Sequence, residues 1–553
     1  MTRRWGRWAT ALVVSAGATL GAFSTAHAVT TTSATLTLSL PTPYTGCTFL
    51  DAASAPETSA ILDLVRPSAF VTTAAGGLVG ESGAIATAEL TSLSPQTVVY
   101  TIAPHQRWSN GATFDGRDLV TWWRRARALP SVLSDGYRDI SSLTLSANRL
   151  TVTARFAQPY SDWELLFRDV EYRGASDGCS LSAFLARPSL GPYRVVTASS
   201  TGLVLVSNPA WTPNPIRFGR IVVRYGAAPP TSDATPFVSY AKTVDRASAQ
   251  VLGSRPSLMG HIGSTSLLEE MTFAPRRPLT RSEVLRQALS WSVDRASIVA
   301  ALWGQVTFSP SVAASAIYSQ GSLGYPGGDG RAPTPTTTTT TTPPVTTPTP
   351  TTSVSLADCV TCAVDLLRAH GYRHTTHGWI TASGTAVVLR VVTGPSGVDR
   401  ATGVLLQRQW QRFGISVYLV TAPSELAAAT TVAFNNADVA IFARPTVTSP
   451  SFAARSWVGP AYADSYPSGV RLPALQTADT TALGTFNPVT ARSSWRTFDQ
   501  VLQQSFWVRP LFTPPSLLIW TPSVGGVYGS ASLQGLVDEV PTWSAVTPSA
   551  SVG

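Results

Sequence analysis

The chain has 553 residues, of which 44% are apolar and 13% charged, and its formal net charge is +9. This balance excludes an intrinsically disordered chain, which needs low hydrophobicity and high charge. The 41 glycines and 41 prolines follow no strict period, which excludes collagen. Lys242 is the only lysine, and the arginines are spread along the sequence. A nucleic-acid-binding protein would concentrate positive charge on one face, so no nucleic-acid partner is indicated.

Residues 1–28 are typical of a secretory signal. Three arginines precede an apolar stretch over 8–23, and Ala26-His27-Ala28 has the small-x-small pattern of a cleavage site. A retained anchor is the alternative, but the apolar stretch is shorter than the roughly 20 residues that a membrane span needs. No cysteine lies near the cleavage site, so a lipoprotein anchor is not indicated. We expect an exported protein, periplasmic or extracellular, that is peripheral to the membrane.

Strands and helices alternate along the rest of the chain. Before residue 333 the pattern predicts a strand over 98–102, a helix capped by Asp115 and Asp118, strands over 143–155, a hairpin over 193–206, a strand over 221–225, and a helix opened by Thr280 and Glu283 that continues through Val293.

Residues 333–352 form a Pro/Thr-rich tract, which we interpret as an insertion because it cannot bury a core. After this tract the pattern predicts helices over 363–369, 404–412 and 493–503, and strands over 386–392, 415–420 and 439–442. The chain is therefore predicted to be mixed α/β, with βαβ-like units after the insertion.

The four cysteines are Cys47, Cys179, Cys359 and Cys362, an even number that suggests disulfides in an exported chain. Cys359 and Cys362 form a CxxC, which suits a local disulfide, a redox pair or half of a metal site. Thioredoxin-type chemistry needs this pair after a strand in a βαβ unit, so a structural disulfide is favoured. Cys47 would then pair with Cys179 by elimination. A four-thiolate zinc site is disfavoured because Cys47 and Cys179 lack paired spacing.

Six phrases, met in order, resemble one family. They are YTIAPHQRWSNGATFDGRDLV at 100–120, SLGPY at 189–193 with NPAW at 208–211, EVLRQALSWSVDR at 283–295, DLLRAHGY at 365–372, QRQWQRFGI at 407–415, and RPLF at 509–512 with VGG at 524–526. They are similar to phrases of the family 5 extracellular solute-binding proteins, the peptide- and nickel-type binding components of ABC importers. The phrases mark the fold and not the binding site.

The resemblance implies an α/β fold: a bilobal periplasmic-binding-protein-like clamp of class II type with an extra subdomain. Lobe I would combine residues 29–60, 188–277 and 510–553, the extra subdomain would cover 61–187, and lobe II would cover 278–509. A peptide-like solute would bind in the cleft between the lobes, without a catalytic residue or a cofactor. The implied partners are the permease and ATPase subunits of an ABC importer, and the protein is expected to be a monomer.

Dipeptide-type relatives hold the ligand ammonium with an aspartate just after the strand that matches 439–442, and the ligand carboxylate with an arginine that aligns near Thr393. Residues 443–450 contain no acid, which argues against dipeptides and leaves longer peptides or a different solute open. An arginine near aromatic rings suits an anionic or planar solute, although surface and core packing is the alternative. The candidate ligand-binding residues are Arg444, Arg455, Trp457, Tyr462 and Thr393.

Two residue patterns in the chain suggest other functions. His370, His374 and His377 could suggest nickel, but no cysteine or carboxylate completes a ligand set nearby, so no metal site is expected. Ser239 and Lys242 form an SxxK, as in serine hydrolases, but the accompanying K-T-G element is impossible with a single lysine. A secreted sensor or scavenger that uses the same clamp without a transporter is the remaining alternative.

Overall fold

The computed structural model contains three large β-sheets with helices packed around them. It describes residues 34–45, 48, 50, 56–73, 76–175, 179–211, 213, 216–244, 254–264, 267–304, 310, 312–318, 320, 324–326, 358–445, 450–459, 472–529 and 533–547. The predicted signal at 1–28, the Pro/Thr-rich tract at 333–352, Cys47 and Tyr462 lie outside the described residues.

The strands are listed here in chain order: β1 (Thr35–Leu40), β2 (Phe70–Thr72), β3 (Leu78–Gly80), β4 (Ile85–Leu93), β5 (Gln96–Ile102), β6 (Ile140–Leu145), β7 (Thr151–Phe156), β8 (Tyr193–Ser199), β9 (Gly202–Ser207), β10 (Arg220–Tyr225), β11 (Phe237–Ala241), β12 (Met259–Ser264), β13 (Leu267–Phe273), β14 (Arg373–Thr375), β15 (Gly378–Ile380), β16 (Val388–Thr393), β17 (Ser416–Thr421), β18 (Val439–Pro445), β19 (Val508–Phe512), β20 (Pro515–Trp520), β21 (Val524–Gly525) and β22 (Ser544–Ala545).

The α-helices are α1 (Pro56–Val65), α2 (Gly116–Ala126), α3 (Asp135–Asp139), α4 (Leu181–Ala186), α5 (Glu283–Trp291), α6 (Arg295–Trp303), α7 (Val360–Ala369), α8 (Gly397–Phe413), α9 (Glu425–Ala433), α10 (Pro450–Val458), α11 (Pro473–Leu483), α12 (Pro488–Gln504) and α13 (Leu533–Asp538).

Lobe I is built on a seven-stranded sheet with the order β12-β20-β11-β1-β10-β9-β8. Strand β1 has the sequence TLTLSL, and its alternation places Leu36, Leu38 and Leu40 on one face, where all three are buried. These leucines share an apolar core with residues of α1 and α13. Helices from both ends of the described chain therefore cover this sheet.

Lobe II is built on a five-stranded sheet with the order β17-β16-β18-β13-β19. Strands β16, β17 and β18 run parallel, and α8 and α9 connect them as two βαβ units, which confirms the prediction for the region after the insertion. Strand β18 is buried along its length except at Pro445, as expected for a parallel strand covered on both faces.

The extra subdomain contains a four-stranded antiparallel sheet with the order β4-β5-β7-β6. Helix α2 packs on it and begins as predicted, because Asp115 and Asp118 form a reciprocal capping box. The core of this subdomain, which includes Tyr100 and Trp108, continues into α10, α11 and α12 through Trp457 and Trp495. The subdomain is thus packed against three helices that follow β18 and precede β19 in the sequence, and both of these strands belong to the lobe II sheet.

Several predicted helices are wrong in their bounds. The helices predicted over 363–369, 404–412 and 493–503 begin earlier, at Val360, Gly397 and Pro488. Ser282, and not Thr280, caps α5, because the Ser282 hydroxyl accepts a hydrogen bond from the backbone N–H three residues later at 3.3 Å. The helix ends at Trp291, and Asp294 then caps α6. A second capping residue close behind the first helix divides what the apolar pattern predicted as one helix through Val293.

The chain crosses between the two lobe sheets twice, from β12 to β13 and from β19 to β20. The crossings lie side by side, because Ser264 pairs with Pro515 in lobe I and Glu269 pairs with Phe512 in lobe II. From this sheet membership we place the lobe boundaries between Ser264 and Leu267 and near residues 513–514. This placement is a proposal that shifts the ranges expected from the sequence.

A buried arginine joins the subdomain to lobe I. The Arg168 guanidinium donates to both carboxylate oxygens of Asp63 at 2.9 and 2.6 Å and to the Thr72 hydroxyl at 2.9 Å. It also lies 3.4 Å from an Asp538 oxygen in α13. This single cation connects α1, β2 and α13.

Replacing Arg168 with alanine should destabilise the protein by about 3–5 kcal/mol, because buried Asp63 would lose its countercharge. The matched control is Arg117→Ala, which removes a partly exposed ion pair with Asp115 and should cost at most about 1 kcal/mol. Urea denaturation followed by tryptophan fluorescence compares the two variants. Equal midpoints would show that Arg168 does not hold the subdomain in place.

Candidate functional site

The parallel strands of both lobes end beside the two crossings. In lobe I, β1, β10 and β11 run parallel, and Ala241 at the end of β11 pairs with Leu517 near the start of β20. In lobe II, Pro445 at the end of β18 pairs with Leu267 at the start of β13. Open α/β sheets bind ligands outside the carboxyl ends of their strands. Two such edges therefore flank the same connection, and the region between them is the candidate site.

The lobe I edge carries the only lysine of the chain. Lys242 follows β11, and its ammonium lies 3.0 Å from Glu57 Oε1 in the first turn of α1. The Thr42 hydroxyl donates to the other Glu57 oxygen at 2.6 Å. The Lys242 side chain remains about one quarter exposed, whereas the Glu57 side chain is fully buried.

The lobe II edge carries three carboxyl groups, here called the carboxyl cluster: Glu269 on β13, Asp399 in the first turn of α8 and Glu425 at the start of α9. Glu269 and Asp399 are fully buried. A Cβ atom at Gly394 would stand 2.0 Å from Glu425 Oε2 and 2.5 Å from Asp399 Oδ2, so a larger residue there would displace these carboxyl groups. Two carboxyl groups therefore point at one spot after β16.

The carboxyl cluster has no arginine or lysine in ion-pair contact among the described residues. Neither oxygen of Glu269 accepts a hydrogen bond from a donor in this part of the chain. Burial raises the pKa of Glu269 well above its usual range, and the Asp399 and Glu425 charges add to this effect. Burial and Asp399 raise the pKa of Glu425 to about 9, while Lys242 acts in the opposite direction. Glu425 therefore retains its proton at neutral pH.

Two of the sequence-predicted site residues lie near this edge but are engaged within the protein. Arg444, near the end of β18, is buried; its Nε donates to Glu270 Oε2 at 3.1 Å, and another of its N–H groups donates to the Ala316 carbonyl. Thr393, the last residue of β16, is fully buried, with its hydroxyl 3.2 Å from the Thr421 hydroxyl. Neither has a side chain open to solvent, and their role in ligand binding stays a prediction.

The other predicted site residues are placed elsewhere. Arg455 on α10 lies 3.4 Å from an Asp139 oxygen of the subdomain and 3.7 Å from an Asp479 oxygen of α11. Trp457 is buried in the core that the subdomain shares with α10–α12. Tyr462 is outside the described residues. The structure thus brings Arg444 and Thr393 to one sheet edge, while Arg455 and Trp457 belong to the contact between α10 and the subdomain.

Residues of the carboxyl cluster were missed by sequence reasoning. The available signal was Glu269-Glu270, two adjacent acids inside the apolar strand sequence LLEEMTF. Strand neighbours point to opposite faces, and both glutamates are nevertheless buried. Glu270 is paired with Arg444, whereas Glu269 faces the other two carboxyl groups of the cluster.

The histidines and cysteines lie apart from the two edges. His374 packs edge-on against Trp379 at 5.1 Å between ring centroids, and His370 and His377 are exposed. No group of three metal-ligating side chains occurs among the residues that the structure describes. Cys359 and Cys362 form a disulfide at the start of α7. The pairing of Cys179 with Cys47 stays a prediction, because Cys47 is not among the described residues.

The family description "Bacterial extracellular solute-binding proteins, family 5 Middle" matches residues 82–463. This chain belongs to the family 5 extracellular solute-binding proteins. It is 27% identical over 175 residues to the oligopeptide-binding protein OppA of Mycobacterium bovis, a match that covers 28% of each chain. It is 30% identical over 122 residues to the probable monoacyl phosphatidylinositol tetramannoside-binding protein LpqW of Mycobacterium tuberculosis, covering 21% of this chain and 19% of that protein. These matches span under a third of either relative's length.

Solved structures confirm the bilobal fold over almost the whole chain. The periplasmic EDTA-binding protein EppA superposes with a TM-score of 0.77 at 18% identity, covering 93% of this chain and 96% of that one. NikZ from Campylobacter jejuni, in complex with Ni(L-His), gives 0.72 at 14% identity, covering 92% and 99%. The oligopeptide-binding protein AppA from Bacillus subtilis, in complex with a nonapeptide, gives 0.69 at 12% identity, covering 93% and 99%.

The matched family and these neighbours are substrate-binding proteins and not enzymes. The SxxK agrees with this assignment, because Ser239 lies within β11 and Lys242 is paired with Glu57. Within the described residues, no helix is both long and apolar enough to cross a bilayer.

The ion pairs of Arg455 with Asp139 and Asp479 predict how the stability of the protein depends on pH. Burial raises the pKa of both Asp139 and Asp479 to about 6, with Arg455 acting in the opposite direction. The folded protein then binds more protons than the unfolded chain between about pH 4 and 6. The stabilising contribution of these two carboxyl groups to the free energy of unfolding is fully present below about pH 4. It is lost as the pH rises through about 6.

The double variant Asp139→Asn/Asp479→Asn should therefore lose part of the pH dependence of stability. Urea midpoints from pH 4 to 7.5 should differ between wild type and variant by an amount that changes across pH 4–6 and is constant above about pH 7. Other buried carboxyl groups contribute equally to both proteins and cancel in the difference. A difference that is constant over the whole range would contradict the assignment.

Proposed function

We propose that this protein is exported, captures a peptide-like solute between its lobes, and delivers the solute to the permease and ATPase subunits of an ABC importer. The observation that carries the proposal is the arrangement of two carboxyl strand edges on either side of a two-strand connection in a family 5 chain. Rotation about such a connection opens and closes the gap between the lobes. The names of OppA and AppA, which bind oligopeptides, support a peptide as the class of solute.

Contacts between the lobes support closure as the binding step. The Trp303 indole N–H at the end of α6 donates to the Val244 carbonyl of lobe I at 3.1 Å. The Ser161 N–H of the subdomain donates to the Leu483 carbonyl of α11 at 2.9 Å. Closure over a solute removes water from the gap and strengthens the polar contacts made there.

The carboxyl cluster favours a solute with a cationic group. Buried charge needs a matching charge, and among the described residues no arginine or lysine is in ion-pair contact with Glu269, Asp399 or Glu425, although Lys242 acts on Glu425 from a greater distance. An ammonium or guanidinium placed beside Glu425 would replace the proton that Glu425 holds at neutral pH. These three acids are separate from residues 443–450, which contain no acid.

Calorimetry with tri-lysine, and with an uncharged tri-alanine peptide acetylated and amidated at its ends, tests the solute class. Wild type should bind tri-lysine, and Glu425→Gln should weaken that binding by about 10- to 100-fold, because a charge-assisted hydrogen bond contributes about 1.5–3 kcal/mol. The control is Glu89→Gln, which changes an exposed glutamate in the subdomain sheet and should leave affinity unchanged. Equal binding of the uncharged peptide, or equal affinity in Glu425→Gln, would contradict a cationic solute.

The same binding should depend on pH with a defined sign. Because the pKa of Glu425 is about 9, a cation must displace protons, and tri-lysine affinity should rise between pH 7 and 9. Lysine side chains stay charged in this window, since their usual pKa is about 10.4. Calorimetry in buffers of different ionisation enthalpy should report proton release in wild type and less release in Glu425→Gln. Proton uptake on binding would overturn the role of the cluster.

A further inference from the structure

The disulfide between Cys359 and Cys362 stands at the beginning of a ten-residue helix on lobe II. Cys359 is the N-cap of α7, and its Sγ accepts the backbone N–H of Cys362 at 3.2 Å. The Thr361 hydroxyl lies 3.5 Å from the same sulfur. The sulfur of Cys359 is therefore held over the positive end of the helix dipole, where a thiolate is stabilised.

Positive charge surrounds this helix end. Asp358, which precedes the disulfide, accepts from Arg295 Nε at 2.8 Å and pairs with Arg509. Two guanidinium groups are thus held by the carboxylate that directly precedes Cys359. The ion pairs of Asp358 with Arg295 and Arg509 also fix the backbone before the disulfide. In addition, the Cys359 N–H donates to the Trp291 carbonyl at 2.8 Å. The helix start is held independently of the disulfide.

The disulfide is accessible from outside. Cys359 is half-buried and Cys362 is exposed. Val360, between them, is 49% exposed and lines an open cavity of about 480 Å³ that extends to Trp379 and Phe413. A thiol can therefore approach Cys362 Sγ without unfolding the lobe. Buried cystines lack this access and are inert.

The disulfide contributes little as a constraint on the chain. It closes a loop over a sequence separation of three residues. The entropy that a cross-link removes from the unfolded chain grows with loop length, so this loop gives one of the smallest effects that a disulfide can have. An exposed, short-loop cystine at a positive helix end has the features of an exchangeable disulfide and not those of a structural one.

We propose that Cys359–Cys362 is a redox-active disulfide that exchanges with thiols outside the cytoplasm. In this exchange lobe II oxidises a small-molecule or protein dithiol. The incoming thiolate attacks Cys362 Sγ and forms a mixed disulfide. The Cys359–Cys362 bond breaks, and its electron pair leaves on Cys359 Sγ, which stays at the helix N-cap as a thiolate. A second thiolate attacks the mixed disulfide and releases the new disulfide. Two thiols are oxidised, and the cystine is reduced to two thiols.

The first experiment uses the full oxidised chain without denaturant. It is titrated with dithiothreitol, quenched with N-ethylmaleimide and mapped by mass spectrometry. Cys359 and Cys362 should become labelled at reductant concentrations that leave Cys179, which is also disulfide-bonded, unlabelled. The thermal midpoint of the selectively reduced chain should stay within a few degrees of the oxidised one. Labelling of Cys359 and Cys362 only in denaturant, or unfolding on their reduction, would overturn the proposal.

The second experiment separates the two sulfurs. In Cys362→Ser the remaining Cys359 thiol should react with iodoacetamide at a pH at least one unit lower than the Cys362 thiol of Cys359→Ser, since only Cys359 is at the N-cap. Cys359→Ser incubated with oxidised glutathione should carry one glutathione on Cys362. Identical pH–rate profiles for the two variants would contradict the assigned leaving group. Solute binding by calorimetry is a separate readout, so failure here leaves the proposed function untouched.

Discussion

The pair of chain crossings between β12 and β13 and between β19 and β20 is the constraint on which the rest of the structure depends. Because the two crossings are paired side by side, they connect the lobes through one narrow two-strand link. The parallel strands of each lobe sheet lie antiparallel to a neighbouring crossing strand, so their carboxyl ends meet at this link. Any solute bound there touches both lobes at once, and its binding energy can favour the closed state over the open one.

Buried arginines join the main parts of the structure by pairing with acidic side chains. Arg168 fixes the subdomain to α1 and α13, Arg444 fixes β18 to β13, and Arg455 joins α10 to the subdomain. A guanidinium can make several directed hydrogen bonds in a planar fork, as Arg168 does with Asp63 and Thr72, which suits a buried site better than a lysine ammonium. The carboxyl cluster differs from these sites, because Asp399 and Glu425 meet at Gly394 and none of its three acids is in ion-pair contact with an arginine among the described residues.

Local sequence rules predicted fewer than half of the strands and helices that the structure describes. The capping box at Asp115 and Asp118 and the βαβ units after the insertion follow from patterns within a few residues. The candidate site was harder to predict because its contacts are long-range. Arg444 meets Glu270 across a sheet, at a sequence distance of 174 residues, and this pairing buries a side chain that sequence reasoning assigned to the cleft. The carboxyl cluster likewise assembles from β13, α8 and α9, which no local pattern relates.

Small-angle X-ray scattering of the purified protein, with and without tri-lysine, tests whether the lobes close over a peptide. The radius of gyration should decrease when tri-lysine saturates the wild-type protein, because the lobes rotate about the two crossings and close over the peptide. Glu425→Gln at the same peptide concentration should keep the larger value. A radius of gyration that does not change in wild type, under conditions where calorimetry shows tri-lysine bound, would contradict capture by closure of the lobes.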